Sequence, residues 1–340
     1  MSEPQNQKEK DRREGGRGGE DRCGLLSAFC DAAVRFGVRA GGEYLSRLPW
    51  PALRGIARCL AGIWWVMGVG GRRGRGIKNI LKAFPHMSYG AARRLMRRSC
   101  EGVLVSSAAA LWLRQKVVEG DWRGRVDTSG MEKLEEISDD TGMIFVTAHF
   151  GCWEGMGMLL PLCGFPVTSV ARPVPHPEVD AYLRQLRETS GQRVIDKRGA
   201  LIELLRKLRE GLNVAFLIDQ DARRDGIFVN FMGRPCSTHT SIARLAIKTS
   251  SPLAFIHCRA VGSPPTFKVQ VSDVLWPRED APEAEEILRL TQRLTDDVEA
   301  LVKESPDEWL WTQKRWKTYP GKFTSNNRPM PGVLGEEGRG

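Results

Sequence analysis

The hydrophobic and polar positions of this chain divide it into four stretches. Residues 1–22 are charged and glycine-rich, and residues 321–340 are rich in glycine and proline, so neither stretch has enough apolar side chains to form a core. Residues 23–71 are largely apolar with interspersed arginines, and residues 72–320 alternate short apolar runs with amphipathic stretches. The pattern predicts two disordered tails, an N-terminal apolar helical segment and one large domain.

The large domain has an alternating pattern of strands and helices from about residue 130 onward. Short apolar runs rich in β-branched residues predict strands, and longer amphipathic stretches predict helices. The predicted strands cover residues 142–147, 167–171, 193–195, 213–218, 227–231, 252–259 and 266–274, and the predicted helices cover residues 131–138, 154–163, 177–189, 200–209, 240–249 and 282–303. This alternation is typical of an α/β fold, in which helices cover a mostly parallel mixed sheet and active groups lie at the carboxyl ends of strands.

The N-terminal apolar segment is too short in its uncharged part to be an obvious membrane span. Its longest uncharged run, residues 59–71, has 13 residues, whereas a helix needs roughly 20 to cross a bilayer. Trp64 and Trp65 with flanking arginines favour a helix that lies in the membrane interface. A span of residues 45–70 with snorkelling Arg54 and Arg58, and a buried core helix, remain alternatives. No cleaved signal peptide is expected.

Charge and composition narrow the classes of partner without choosing one. The 340-residue chain has 51 Lys and Arg against 41 Asp and Glu, a net charge of +10, which suits phospholipid, phosphorylated glycolipid, an acidic carrier protein or nucleic acid. Eight scattered cysteines with no C-x-x-C disfavour a disulfide scaffold and a zinc ribbon, and favour reduced, cytosol-facing thiols. The absence of G-x-S-x-G, H-E-x-x-H, P-loop and G-x-G-x-x-G motifs disfavours an esterase elbow, a zincin, an NTPase and a dinucleotide enzyme.

One apolar, glycine-rich segment carries the main candidate chemistry. Within residues 143–157 the only acidic or basic side chains are His149 and Glu154, at a turn between a predicted strand and a predicted helix. Because that turn lets Glu154 fold back on the imidazole, the carboxylate would favour the imidazolium and leave the other ring nitrogen free to take a proton. Two alternatives stay open: a structural strand-end histidine beside an early-helix acid, and a metal site that uses Cys152.

Several segments resemble one known family in the same order. Residues 149–154 resemble the H-x-x-x-x-E block of bacterial lipid A biosynthesis acyltransferases, within the wider glycerolipid acyltransferase superfamily. Six more blocks are similar to that family, at residues 79–85, 172–177, 219–221, 229–233, 241–245 and 308–317. The resemblance covers roughly residues 45–320. It departs at Gln313, where the family usually has His, and at Cys152, where Asn is common; both positions lie outside the predicted dyad.

The resemblance implies an O-acyltransferase at the cytoplasmic face of the cell inner membrane. Such an enzyme moves a fatty acyl chain from an acyl carrier protein thioester to a hydroxyl of a Kdo-lipid A precursor, a phosphorylated glycolipid, and needs no cofactor, metal or nucleic acid. His149 would be the general base and Glu154 would hold its imidazole. Another glycolipid or a lysophospholipid is the alternative acceptor. A non-catalytic basic protein that binds membrane or nucleic acid is the alternative from another class.

Four further residues are candidates for binding substrate or shaping the site. Arg172 follows an apolar strand and could clamp a phosphate, or be an ordinary surface arginine. Arg187 occupies a position implicated in function in the family that the chain resembles. Asp219 ends an apolar strand, where a charge needs partners, which favours a role in shaping the site. Asp221 could shape the site too, or be a turn residue in a loop.

The basic and aromatic block near the C-terminus is open to three interpretations. Lys314, Arg315 and Lys317 alternate with tryptophans, a pattern that could bind a nucleic-acid strand by stacking and charge. It also suits an edge strand at a lipid interface, or an edge strand whose tryptophans pack inward. The apolar segment upstream favours the lipid interface.

Overall fold

The computed structural model describes residues 40–68, 71–137, 141–174, 176–196 and 199–320. The predicted tails, residues 1–22 and 321–340, lie outside the described residues, as does the first part of the apolar segment 23–71. The described residues form a central sheet with helices packed on both of its faces.

The helices follow the amphipathic stretches of the sequence. Residues 40–47 are helical, and the chain continues through α1 (Trp50–Met67), α2 (Arg72–Ala83), α3 (Tyr89–Val118), α4 (Glu132–Glu135), α5 (Trp153–Leu162), α6 (Pro177–Glu188), α7 (Ala200–Arg209), α8 (Ser241–Thr249) and α9 (Glu283–Glu304). Short 3₁₀ turns lie at Arg123–Arg125, Arg223–Asp225 and Pro306–Glu308.

The strands form one large sheet and one separate hairpin. They are β1 (Val126–Gly130), β2 (Ile144–Thr147), β3 (Val167–Ala171), β4 (Arg193–Asp196), β5 (Asn213–Leu217), β6 (Gly226–Phe231), β7 (Arg234–His239), β8 (Leu253–Gly262) and β9 (Pro265–Leu275). The seven-stranded sheet has the order β1-β9-β8-β2-β5-β3-β4, and β6 pairs with β7 in the hairpin. Every neighbouring pair in the large sheet is parallel except β8 with β9.

The predicted mostly parallel mixed sheet covered by helices is confirmed, with some differences in its elements. Strands β1 and β7 were not predicted, because their sequences are polar and they become strands only by pairing with β9 and β6. The helix predicted at residues 131–138 is reduced to α4 within the described residues. Both missed strands therefore depend on a partner and not on a local hydrophobic pattern.

Helix α1 has one buried face and one exposed apolar face. Trp50, Leu53, Ala57, Ala61 and Trp65 are buried at helical spacing, while Ile56, Leu60, Ile63, Val66 and Met67 are exposed. Among the described residues, no helix by itself has the length and apolar composition needed to cross a bilayer. α1 and α2 meet that measure only as a pair bent by 91°.

The C-terminal basic and aromatic block, residues 308–317, forms turns instead of an edge strand, with its tryptophans and Arg315 buried and Lys314 and Lys317 exposed. Trp309 and Trp311 are fully buried, and Arg315 is nearly so. Asn79 Nδ2 on α2 donates to the carbonyls of Trp311 and Gln313, at 2.9 and 2.8 Å. The preferred interpretation of a lipid-interface strand is therefore wrong for this block, because its tryptophans fill the core.

Candidate active site

Two neighbouring parallel strands bring the site together. In the pairing of β2 with β5, Thr147 lies opposite Leu217. His149 and Asp219 each follow two residues after those strand ends, so they meet at the carboxyl edge of the sheet. Asp219 Oδ1 lies 2.8 Å from His149 Nδ1, and Asp219 Oδ2 accepts the backbone N–H of His149 at 2.9 Å.

Asp219 is a buried carboxylate with an unusually complete set of donors. Its Oδ2 also accepts hydrogen bonds from Trp309 Nε1 and Gln313 Nε2, each at 2.8 Å. Only 1% of Asp219 is exposed. Burial alone would raise the pKa of this carboxyl, but the charge and hydrogen bonds of His149, with the bond from Gln313, hold its pKa well below the usual range. Asp219 therefore remains ionised.

His149 is held by this carboxylate in one orientation. Burial lowers the tendency of the imidazole to carry charge, but the charge and hydrogen bond of Asp219, with a further contribution from the charge of Glu154, raise the pKa of His149 above its ordinary value. Since Nδ1 meets Asp219, Nε2 is the nitrogen left to exchange a proton with a ligand. This is the arrangement of a histidine general base with an orienting acid.

The sequence predicted that Glu154 would hold the imidazole, but in the structure the hydrogen bond to the ring comes from Asp219. The carboxylate of Glu154 instead accepts two hydrogen bonds from Arg187, from Nε at 2.9 Å and from Nη2 at 2.8 Å. Because the Arg187 guanidinium fits a carboxylate through two parallel bonds, it fixes the direction in which Glu154 points. Glu154 thus acts on His149 through its charge, while Asp219 supplies the hydrogen bond.

The turn between β2 and α5 is fixed by backbone contacts from distant segments. Gly151 has a φ of +56°, and a Cβ at this position would overlap the carbonyl oxygen of Cys258. Cys152 N–H donates to that carbonyl at 2.7 Å, and Gly151 N–H donates to the carbonyl of Glu308 at 3.1 Å. Glycine is therefore required at position 151, and the turn presents His149 with little freedom.

The site opens onto a cavity of about 520 Å³. Strands β2, β3 and β5 and helices α5 and α7 supply most of its walls, which are largely apolar. His149, Glu154, Arg172 and Arg187 all line it. A largely apolar cavity lined by a few polar groups is the usual form of a site for a small molecule.

The remaining predicted residues differ in how close they lie to this cavity. Arg172 lines the cavity and is exposed. Asp221 lies beside the C-terminal block, where Thr318 Oγ1 donates to its Oδ2 at 3.1 Å, and it is not among the residues that line the cavity. Within the described ranges, no cluster of three or more His, Cys, Asp or Glu side chains could hold a metal ion.

Two hydrogen-bond donors to Asp219 were not predicted from the sequence. Trp309 and Gln313 lie in the C-terminal block, about 90 residues after Asp219, and both donate to the same oxygen. Gln313 was placed outside the site as a departure from the family pattern. The available signal was the amide of Gln313 among aromatic and basic residues, because a buried amide needs a hydrogen-bond partner.

The contacts of His149 predict that its imidazole loses its proton at a higher pH than an ordinary histidine does. The imidazole is expected to titrate above its ordinary 6.5, and Asp219→Asn is expected to lower that pKa by removing the charge that favours the imidazolium. The stabilisation from the charged pair should be complete below the ordinary pKa and lost as pH rises through the raised one. Imidazole NMR titration of both proteins measures this; an unchanged pKa in the variant would contradict it.

Comparison with known proteins identifies the family of this chain. A family model described as bacterial lipid A biosynthesis acyltransferase matches residues 31–318. A phosphatidylinositol mannoside acyltransferase of Mycobacterium tuberculosis is 25% identical over 192 residues, which cover 55% of this chain and 58% of that protein. The match therefore spans little more than half the length of this relative.

Two relatives from other bacteria match over a larger share of both chains. The lipid A biosynthesis lauroyltransferase of Escherichia coli is 23% identical, over 72% of this chain and 78% of that protein. The lipid A biosynthesis acyltransferase of Haemophilus influenzae is 19% identical, over 76% and 79%. Because the family model covers most of the chain, including every residue of the site described above, this protein belongs to the bacterial lipid A biosynthesis acyltransferase family.

Proposed function

We propose that this protein is an O-acyltransferase in which His149 is the general base and Asp219 is the acid that orients it. The single observation that supports this most is the buried Asp219–His149 hydrogen bond, 2.8 Å long, beside a largely apolar cavity. A fatty acyl chain suits such a cavity, and a hydroxyl placed beside His149 would meet its Nε2. Family membership also argues against a non-catalytic binding protein.

The reaction follows from the position of the imidazole. His149 Nε2 takes the proton of the acceptor hydroxyl as its oxygen attacks the thioester carbonyl, and Asp219 stabilises the imidazolium that forms. When the C–S bond of the resulting tetrahedral intermediate breaks, the imidazolium returns the proton to the departing thiolate. No acyl-enzyme is needed, because one base serves both proton transfers.

The developing oxyanion needs donors that are not already engaged. The N–H groups of residues 149–152 all donate within the protein. The first turn of α5 follows them, and its N-cap residue Cys152 makes no capping bond through its side chain. We assign the oxyanion to the N–H groups of that turn, where the helix dipole also favours negative charge.

The proposed donor is an acyl carrier protein thioester, and the proposed acceptor is a Kdo-lipid A precursor. The net charge of +10 suits both an acidic carrier and a phosphorylated glycolipid. Arg172, exposed at the cavity, could bind an acceptor phosphate, whereas the charge of Arg187 is already balanced by Glu154. Another glycolipid or a lysophospholipid is the second candidate acceptor. The mycobacterial relative supports this alternative, because it is named for a mannosylated inositol lipid.

Mass spectrometry of lipids from cells with and without this protein tests the acceptor. Lipid A that lacks one secondary acyl chain in the deletion strain, with phospholipids unchanged, is the expected result. A loss confined to another glycolipid or to a phospholipid would replace the Kdo-lipid A precursor by the second candidate.

We expect the exposed apolar face of α1 to attach the protein to the cytoplasmic face of the inner membrane. Ile63 and Val66 are 54% and 80% exposed, so charged side chains there should cost little folding stability but prevent insertion among lipid acyl chains. The double variant Ile63→Glu with Val66→Glu should lose most of its binding in flotation with anionic phospholipid vesicles.

A matched variant controls for added negative charge. Val118 and Val261 are also exposed but lie on α3 and β8, so Val118→Glu with Val261→Glu should still float with the vesicles. Equal binding by wild type and both variants would contradict the role of α1.

A further inference from the structure

The cavity beside His149 has a polar wall among apolar ones. Phe145, Ala215 and Ser169 are paired in register across β2, β5 and β3, so their side chains lie on one face of the sheet. On that face Phe145 packs in the same hydrophobic cluster as Met156 of α5. Ser169 and Gln192, which also line the cavity, interrupt this apolar surface on the side of β4.

Gln192 is held in one position by contacts on both ends of its amide. Only 7% of Gln192 is exposed, and its Nε2 donates to Ser169 Oγ at 2.6 Å. Its Oε1 packs against the backbone of Gly157 on α5, so closely that a Cβ at position 157 would overlap it. Oε1 has no hydrogen-bond partner among the described residues. The amide therefore closes the space between α5 and the sheet.

The position of this wall follows from strand geometry. The row of Phe145, Ala215 and Ser169 lies two residues below Thr147, the last residue of β2, which is about 7 Å along the strands. Strand β3 is two strands away from β2, about 10 Å across the sheet. The polar wall is therefore on the order of 10 Å from His149, far enough to meet the middle or end of an acyl chain and not its thioester.

We propose that Gln192, held by Ser169 and Gly157, limits the length of the acyl chain that this enzyme transfers. This inference rests on the proposed acyltransferase function. A chain that reaches past the wall must displace a buried amide, break its bond to Ser169 and leave its polar atoms against methylene groups. A chain that stops before the wall contacts only the apolar part of the cavity.

The test is a competition among saturated acyl thioesters of increasing length, with kcat/KM measured for each. Gln192→Ala removes one methylene and the amide, so it should move the preferred length upward and raise the ratio of longer to shorter chains by about 10-fold, as a change of one or two methylene groups in an apolar pocket does. Gly157→Ala adds a methyl group and pushes the amide into the cavity, so it should move the preferred length downward.

Two further variants control the experiment. Gln185→Ala makes the same chemical change on α6, away from this cavity, and should keep the wild-type preference. Gln192→Met keeps the volume of the side chain but removes the amide and its hydrogen bond to Ser169, so it should raise the ratio of longer to shorter chains in the same direction as Gln192→Ala, even where Gln192→Ala fails to fold. Transfer with the same preferred length in wild type, Gln192→Ala and Gly157→Ala would overturn this inference alone. Failure of the wild type to transfer any chain would overturn the proposed function and this inference with it.

Discussion

Replacing His149 with alanine is expected to lower kcat for acyl transfer by at least about 100-fold, the usual effect of removing a general base. The reason is that Nε2 is the ring nitrogen left for the acceptor hydroxyl once Nδ1 is bonded to Asp219. Binding of the acyl donor should change little, because the apolar walls of the cavity remain. The measurement is steady-state transfer from an acyl carrier protein thioester to an isolated lipid A precursor.

An exposed histidine provides the matched control for this variant. His86 lies between α2 and α3, away from the cavity, and is exposed. His86→Ala should retain wild-type activity. If His149→Ala also retained near-normal kcat while its thermal unfolding matched wild type, His149 would not be the base, and the proposed mechanism would be wrong.

The second large effect is expected for Asp219→Asn. This change keeps the size of the side chain but removes the negative charge, and it lets the imidazole adopt the tautomer that leaves Nε2 protonated. A loss of about 100-fold to 10⁴-fold in kcat is expected, the range for losing the carboxylate that orients a catalytic histidine. The variant should bind substrate normally, so the loss should appear in kcat and not in KM.

Glu154→Gln tests which of the two carboxylates near His149 orients the imidazole. It is expected to cost about 10-fold to 100-fold, because a hydrogen bond to a charged group contributes on the order of 1.5–3 kcal/mol and Gln can still accept one bond from Arg187. A larger loss for Glu154→Gln than for Asp219→Asn would reverse the roles assigned to the two acids and restore the His149–Glu154 dyad that the sequence predicted.

Most helices and strands of the large domain could be predicted from local patterns. Strand β3 (Val167–Ala171) and helix α7 (Ala200–Arg209) begin and end at the residues predicted, because their hydrophobic periods are clear and are interrupted by glycines or prolines. The polar strands β1 and β7 could not be predicted, since their backbone pairing with β9 and β6 comes from segments distant in sequence. The C-terminal block was assigned to the wrong environment for the same reason: α2 and the sheet bury its tryptophans.

The sequence alone determined that His149 lies in a turn after a buried strand, that Asp219 lies at the carboxyl end of another, and that the chain resembles an acyltransferase family. These three facts follow from local hydrophobic pattern and motif spacing. Only the tertiary structure decided which carboxylate meets the imidazole. Since β2 and β5 are parallel neighbours in register, residues equally far beyond their ends come together, while Arg187 on α6 holds Glu154 in a separate ion pair. Spacing along one segment could not show either contact, because both partners arrive from elsewhere in the chain.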